Sequence, residues 1–433
     1  MTDSWLNIPA ESDFSLINIP FGIITYASAG ASAPRVAVAI GDQALDLAVF
    51  SASKGFSGLP AIQPYLHVFH EPTLNAFAAL GRPVHRQVRE YLQKIFAKDG
   101  PYRHLLQDNQ ELRNASLTDL TAVQTYLPMH IGDYTDFYVG KHHAYNVGVL
   151  FRGPANALQP NYTHLPVGYH GRASSVVVSG TPVRRPWGQI LDADKKPIYH
   201  PSKRLDIELE LGAFVCKGNR LGAPVPIGKA EDYLFGYVLL NDWSARDVQA
   251  WEYVPLGPFN AKNFASTIGA WVVLADALEP FRTEGIANDS EIQSYLNSDV
   301  KKAMFDINLE VSLQPNGTAS SSVISRSNGR NLLWSFPQML AHHTVGGCPM
   351  NVGDLLGSGT ISGPDAGTQG SLLELTNGGS QPFEVNGVKR MFLEDGDEVV
   401  LRGWCKDSNG QRLGFGECRG HILEAWQHGV ALD

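Results

Sequence analysis

The sequence predicts a mainly β protein with some helix, divided into two units. Three observations carry that expectation. Gly 43 and Pro 26 supply frequent turn punctuation. Most apolar stretches are short, of strand rather than helix length. The 433 residues also exceed a typical domain of roughly 100 to 200 residues, so more than one core is expected.

Residues 16 to 50 read as short strands, with Gly41-Asp42 between two apolar runs as a hairpin tip. From Glu71 to Lys98, Leu74, Phe77, Leu80, Val84, Val88, Leu92 and Ile95 recur at helical spacing, interrupted by Gly81 and Pro83; two helices packed on the first β unit follow. Polar residues dominate from Asp99 to Thr121, which places a boundary near 120 to 128 and divides the chain into units 1–125 and 126–433. Beyond it, Ser175-Val-Val-Val-Ser, Tyr237-Val-Leu-Leu-Asn, Ala270-Trp-Val-Val-Leu, Asp306-Ile-Asn-Leu-Glu-Val and Glu398-Val-Val-Leu-Arg read as strands of a sandwich or rolled sheet. Asn331 to Leu340 is the clearest helical pattern there, and residues 282 to 304 read as a polar surface insertion.

Lys+Arg 34 against Asp+Glu 43 gives a formal charge of −9, which opposes a nucleic-acid or anionic-membrane partner. Cys216, Cys348, Cys405 and Cys418 have neither CxxC nor zinc-type spacing. No apolar run approaches the ~18 residues that cross a bilayer, and Met1-Thr-Asp-Ser-Trp-Leu lacks the pattern of a signal peptide. A reduced, cytoplasmic chain is expected.

Strict alternation in Leu205-Asp-Ile-Glu-Leu-Glu-Leu puts Asp206, Glu208 and Glu210 on one strand face. Acidic neighbours on one face repel, and a hard cation converts that repulsion into binding; an ordinary solvated face is the alternative. Asn241-Asp242 ends an apolar strand, where Asp242 suits either a ligand or the cap of a helix within Trp243 to Trp251. A loop brings Asp133, Asp136, His142 and His143 close together as ligand, proton-transfer or turn residues. All-oxygen ligation selects Mg²⁺ or Ca²⁺ over Zn²⁺. HExxH, GxSxG and Walker motifs are absent. Gly357-Ser-Gly-Thr-Ile-Ser-Gly and Gly414-Phe-Gly-Glu-Cys-Arg-Gly read as turn glycines, Asn161-Tyr-Thr as a chance glycosylation match, and His342-His343 as a helix C-terminal pair.

Ten ordered motifs then carry a resemblance over nearly the whole chain: Asp133-Tyr-Thr-Asp-Phe-Tyr, Asn146-Val-Gly, Phe151-Arg-Gly, Leu165-Pro-Val-Gly-Tyr-His-Gly-Arg-Ala-Ser-Ser, Ser179-Gly-Thr-Pro, Leu205-Asp-Ile-Glu-Leu-Glu, Asn241-Asp-Trp-Ser-Ala-Arg-Asp, Trp251-Glu-Tyr-Val-Pro-Leu-Gly-Pro-Phe, Ser358-Gly-Thr-Ile-Ser-Gly and Arg412-Leu-Gly-Phe-Gly. The chain resembles the fumarylacetoacetate hydrolase family. That resemblance implies a small SH3-like N-terminal barrel, a mixed β-sandwich or β-roll catalytic domain and a homodimer. It implies metal-dependent hydrolysis of 4-fumarylacetoacetate to fumarate and acetoacetate, the last step of tyrosine and phenylalanine degradation.

Carried over by motif, the metal ligands are Asp136, Glu208, Glu210 and Asp242, with Lys262 and Ser266 beside Asp242 at a second ion position where the family has threonine for Ser266. His143 is the base that activates water, Glu374 its partner, and Arg246, Gln249 and Lys262 the charge-stabilising group. Tyr138, Arg152, Tyr169, Gln249, Tyr253 and Thr360 correspond to substrate contacts. Two rivals stand beside this reading: another diketo-acid hydrolase or decarboxylase of the superfamily, and a Ca²⁺-stabilised β-sandwich binding module without activity.

Overall fold

In the computed structural model, which describes residues 3–27 and 33–427 and so leaves Met1 and Thr2 of the opening segment outside the described residues, two central strands are buried along their whole length. Leu209–Val215 and Leu234–Asp242 each meet a different apolar partner on each face. Leu209, Leu211, Ala213, Tyr237 and Leu239 enter one core with Trp243, Leu309, Leu401 and Phe415. Phe214, Val238 and Leu240 enter another, with Phe21, Phe77, Val88 and Leu92 of the N-terminal unit. Period two directs alternate side chains into these two cores, which accounts for strands without a polar outer face.

Both strands lie within a mixed eight-stranded sheet, in the order Gly168–His170, Tyr134–Phe137, Leu355–Gly357, Leu209–Val215, Leu234–Asp242, Ser266–Ile268 and Val176–Val178, with Val273–Leu274 also on Leu234–Asp242. Leu355–Gly357 runs parallel to Tyr134–Phe137, and Ser266–Ile268 parallel to Val176–Val178. A second sheet, Ser322–Asn328, Asn308–Gln314, Glu398–Lys406, Arg412–Leu423 and Val183–Arg184, covers one face and makes the mixed β-roll.

The N-terminal unit is a curled five-stranded antiparallel sheet, in the order Leu117–Asp119, Gln43–Asp46, Arg35–Ile40, Phe21–Tyr26 and Val123–Tyr126. Gly41-Asp42 forms the expected hairpin tip. Helices Asn75–Ala78 and Arg82–Phe96 divide at Gly81, with Pro83 in the first turn of the second, as the spacing indicated. The mainly β, two-domain architecture is the one expected.

Three local expectations are corrected. The helix assigned to Asn331–Leu340 spans Phe336–Thr344, because Ser335 and Gln338 form a capping box and Pro337 sits in the first turn. Leu332, Leu333 and Trp334 are apolar because they are buried, not because they are helical. A twelve-residue helix, Lys141–Arg152, stands where no helix was expected. The glycines from Gly414 to Gly420 lie inside the strand Arg412–Leu423 rather than in a turn. At Gly420 a Cβ would stand 2.3 Å from Trp243 Cζ2, so that strand approaches the indole only through glycine. The segment 282 to 304 alternates exposed and half-buried residues, as a surface insertion should, with Leu296 and Met304 buried as its anchors.

Gly420→Ala should therefore cost about 1–3 kcal/mol of stability through overpacking against Trp243. Gly228→Ala, at a position with nothing within 4 Å, should be near neutral. Urea unfolding of the two variants checks both.

Candidate active site

Three strands of the central sheet deliver carboxylates to one end of it. Asp136 lies on Tyr134–Phe137, Glu210 on Leu209–Val215 with Glu208 immediately before that strand, and Asp242 closes Leu234–Asp242. One oxygen from each lies within 4.8 Å of the others, and all four residues are buried. Gly357 separates Asp136 from the Glu210 strand; a Cβ there would stand 2.6 Å from Asp136 Oδ1 and 3.2 Å from Glu210 Oε2, so the glycine leaves the space over which the carboxylates meet. The Gly359 amide donates to Glu210 Oε2 at 3.0 Å. The glycine motif is thus part of the site, which a turn reading did not reveal.

Cross-strand register explains Ser266. It pairs with Asp242 across the ladder, and its Oγ donates to Asp242 Oδ1 at 2.7 Å. Tyr169 donates its hydroxyl to Asp242 Oδ2 at 2.9 Å. Lys262 Nζ bonds Glu208 Oε2 and lies 3.1 Å from Asp242 Oδ2. Arg246 places Nη2 2.8 Å from Glu208 Oε1, an ion pair without hydrogen-bond alignment, and donates through Nη1 to Gln249 Oε1 at 3.1 Å.

These neighbours split the titration of the carboxylates. Burial, then Asp242, pushes Asp136 well above the ordinary range, and burial with Asp136 and Glu208 does the same to Glu210. Burial would also raise Glu208, but Lys262, Arg246 and His143 outweigh it and hold that carboxyl below the usual range. Burial opposes the charge on Lys262, yet Asp242 and Glu208 raise it above its ordinary value.

His143 lies in the first turn of Lys141–Arg152 and is buried. Its Nδ1 donates to Glu374 Oε2 at 2.6 Å, and its Nε2 stands 3.7 Å from Glu208 Oε1. Glu374 also accepts from Asn146 Nδ2 at 2.9 Å, Ser362 Oγ at 2.9 Å and Ser371 Oγ at 2.8 Å. Burial would raise its carboxyl, and His143, Asn146 and Ser371 together bring it below the ordinary value. His142 points about 100° away around the helix, half-buried and outside the cavity lining.

The cavity holds about 400 Å³ and is lined by Asp136, Glu208, His143, Arg246, Gln249 and Lys262, and beyond them by Tyr138, Arg152, Tyr169 and Tyr253. Thr360 is buried outside that lining, with its Oγ1 unpartnered among the described residues. Arg152 donates to the Asn156 and Ala157 carbonyls at 3.0 and 2.6 Å, which fixes its guanidinium at the wall. Every residue carried over by motif except Thr360 and Glu210, Asp242 and Ser266 beneath it, and Glu374 behind His143, therefore reaches the lining itself.

Asp133 is exposed and does not join the cluster. Asp242 caps no helix; Ala245 occupies that position before Arg246–Glu252. Asp206 shares the acidic face in sequence but bonds Arg246 instead of facing the other carboxylates. Sequence reasoning missed Tyr162, whose buried hydroxyl has no partner among the described residues and which lines the cavity; its only sequence signal was the Asn161-Tyr-Thr match. His342 and His343 pin elements together, through Tyr295 and Thr135.

Fold and site define a class: a β-roll enzyme whose cavity joins a buried cluster of four carboxylates to a histidine held by a glutamate. Residues 134–423 match the family described as fumarylacetoacetate (FAA) hydrolase C-terminal, and residues 17–128 that described as fumarylacetoacetase N-terminal. The chain belongs to the fumarylacetoacetate hydrolase family. It is 63% identical to a fumarylacetoacetase of Aspergillus fumigatus over 98% of each chain. Identity to the fumarylacetoacetase of Homo sapiens is 47%, over 98% of this chain and 99% of that one. A fumarylacetoacetate hydrolase structure from Exiguobacterium antarcticum shares the fold, with a TM-score of 0.52 at 16% identity, covering 94% of this chain and 99% of that one.

Raised values at Asp136 and Glu210 mean that the native chain without a cation holds protons the unfolded chain has released. Its stability then falls as pH rises through those folded-state values, and a cation that favours the ionised forms reverses the loss. The gain in Tm on adding Mg²⁺ or Ca²⁺ to chelator-treated protein should grow as pH is raised above the ordinary carboxylate range. Glu208→Gln or Asp242→Asn should weaken ion binding by roughly tenfold or more in calorimetry.

Proposed function

We propose that this chain hydrolyses the carbon–carbon bond of 4-fumarylacetoacetate to fumarate and acetoacetate, the last step of tyrosine and phenylalanine degradation. A divalent cation, Mg²⁺ and/or Ca²⁺, is held by Asp136, Glu208, Glu210 and Asp242, and Lys262 and Ser266 flank Asp242 at a second ion position. One observation carries the reading: Glu374 holds His143 by Nδ1 at 2.6 Å, so the free basic nitrogen, Nε2, faces the carboxylate cluster inside the cavity. Relatives named fumarylacetoacetase support the substrate.

The donors suit a hard cation. Among the described residues, Asp136 Oδ1 and Glu210 Oε1 are buried without a hydrogen-bond partner, and an all-oxygen set favours Mg²⁺ or Ca²⁺. When bound, the cation supplies a Lewis acid for the 1,3-diketone.

His143 Nε2 takes a proton from water as the water oxygen adds to the carbonyl next to the enoate, and Glu374 stabilises the imidazolium so formed. Arg246 and Lys262 with the amide of Gln249 stabilise the tetrahedral oxyanion, each donor contributing about 2.7–4 kcal/mol where comparable donors have been removed. Collapse of the intermediate breaks the carbon–carbon bond and leaves fumarate, and the proton at Nε2 passes to the departing carbon to give acetoacetate. Arg152, Tyr138, Tyr169 and Tyr253 hold the substrate's carboxylates and chain.

The same reading has a cytoplasmic homodimer with units 1–125 and 126–433, the strand Val123–Tyr126 carrying the N-terminal sheet one residue past that boundary. A charge of −9 supports expecting no nucleic-acid partner, and among the described residues no helix is long and apolar enough to cross a membrane.

Turnover of fumarylacetoacetate in Mg²⁺ or Ca²⁺ tests the function, and full activity of metal-stripped protein in chelator would remove the cation from it. His143→Ala should lower kcat by roughly 10²-fold or more with metal affinity nearly unchanged, while His142→Ala should be nearly silent. Arg152→Met should raise KM more than it lowers kcat; equal losses on a diketone lacking the distal carboxylate would remove Arg152 from carboxylate binding.

A further inference from the structure

Asp206 is fully buried, yet it stands apart from the carboxylates that follow it on its own segment. Its two oxygens accept four hydrogen bonds. Oδ1 takes the Ile207 amide at 2.7 Å and the Leu372 amide at 2.7 Å; Oδ2 takes the Leu373 amide at 2.9 Å and Arg246 Nε at 2.8 Å. Leu372 and Leu373 open the short helix Leu372–Leu375 that carries Glu374, the partner of His143. Arg246 reaches Glu208 and Gln249 from its other two nitrogens, so Asp206 holds the remaining edge of the guanidinium.

The geometry points to Asp206 as a positioning residue for the hydrolysis. It ties the segment that orients the base to the arginine that stabilises the oxyanion, so the two are held at one separation. This role rests on the proposed function. Asp206 touches neither the cavity nor substrate, and its effect passes through Arg246 and Glu374. A carboxylate is required because all four partners are donors. An asparagine keeps one accepting oxygen and presents an N–H₂ group to two of them, leaving buried donors unsatisfied.

The test measures kcat, KM and Ca²⁺ affinity for wild type, Asp206→Asn, Arg246→Lys and the double variant. Asp206→Asn should lower kcat by about 10- to 100-fold while KM and Ca²⁺ affinity stay within about threefold. In the Arg246→Lys background the same change should cost less than about threefold more, since the group it positions is already altered. Additive losses, or Ca²⁺ affinity falling in step with kcat, would reduce Asp206 to a support of its strand and overturn the role. Should Asp206→Asn fail to fold, Asp206→Glu keeps the charge but displaces the carboxylate by one methylene. It should show the same selective loss of kcat, and full activity in that variant overturns the role equally. Wild type without turnover of fumarylacetoacetate defeats the functional reading itself, whereas active wild type with an additive cycle defeats only the role of Asp206.

Discussion

Confining four carboxylates within 4.8 Å of one another, away from water, is the constraint on which the rest of this structure depends. Like charges at that separation repel strongly, and burial removes the solvent that would screen them. Lys262 and Arg246 offset part of that charge, and Arg246 is shared with Asp206. The remainder leaves Asp136 and Glu210 with raised proton affinity and unpartnered oxygens. A divalent cation, as proposed for this site, would satisfy both the charge and the empty lone pairs, so that the cost of the cluster would become binding energy.

Holding such a cluster requires a rigid support, which the two cores provide. On the strand that carries Glu210, the same face continues to Phe214, and that apolar end is covered by the N-terminal unit. The opposite face, with Leu209 and Leu211, packs under the second sheet. One strand therefore serves as wall of a polar site at one end and as core at the other. The N-terminal unit supports the site without contributing to the cavity lining, and the Arg82 and Arg86 pairs with Asp276 tie its helix to the catalytic half.

The histidine reaches this support from outside the sheet. A helix places His143 beneath Glu374 and turns His142 away, so adjacent residues of the same type have unrelated surroundings. Asn146, one turn later, returns to bond the same glutamate. Histidine, carboxylate and amide are thus fixed by helical geometry together with a short capped helix from a distant part of the chain.

By itself the sequence determined the elements whose signal is local. Period-two alternation marked Glu208 and Glu210, apolar strands marked Leu234–Asp242 and Arg35–Ile40, and Gly81 with Pro83 divided two helices. Spaced motifs added the family and its residue set, because side-chain chemistry at fixed intervals survives without knowledge of the fold. Only the tertiary structure decided which acidic residues share a space. Asp133, Asp136 and Asp206 look alike in sequence, but parallel pairing to Leu355–Gly357 carries Asp136 into the cluster, while Asp206 turns to Arg246 and the amides near Glu374. The glycines of the Gly357 and Gly414 motifs were misread for the same reason. What demands a glycine there is the approach of Asp136 and of Trp243 from remote segments, and contacts between distant segments leave no periodicity in the chain that makes them.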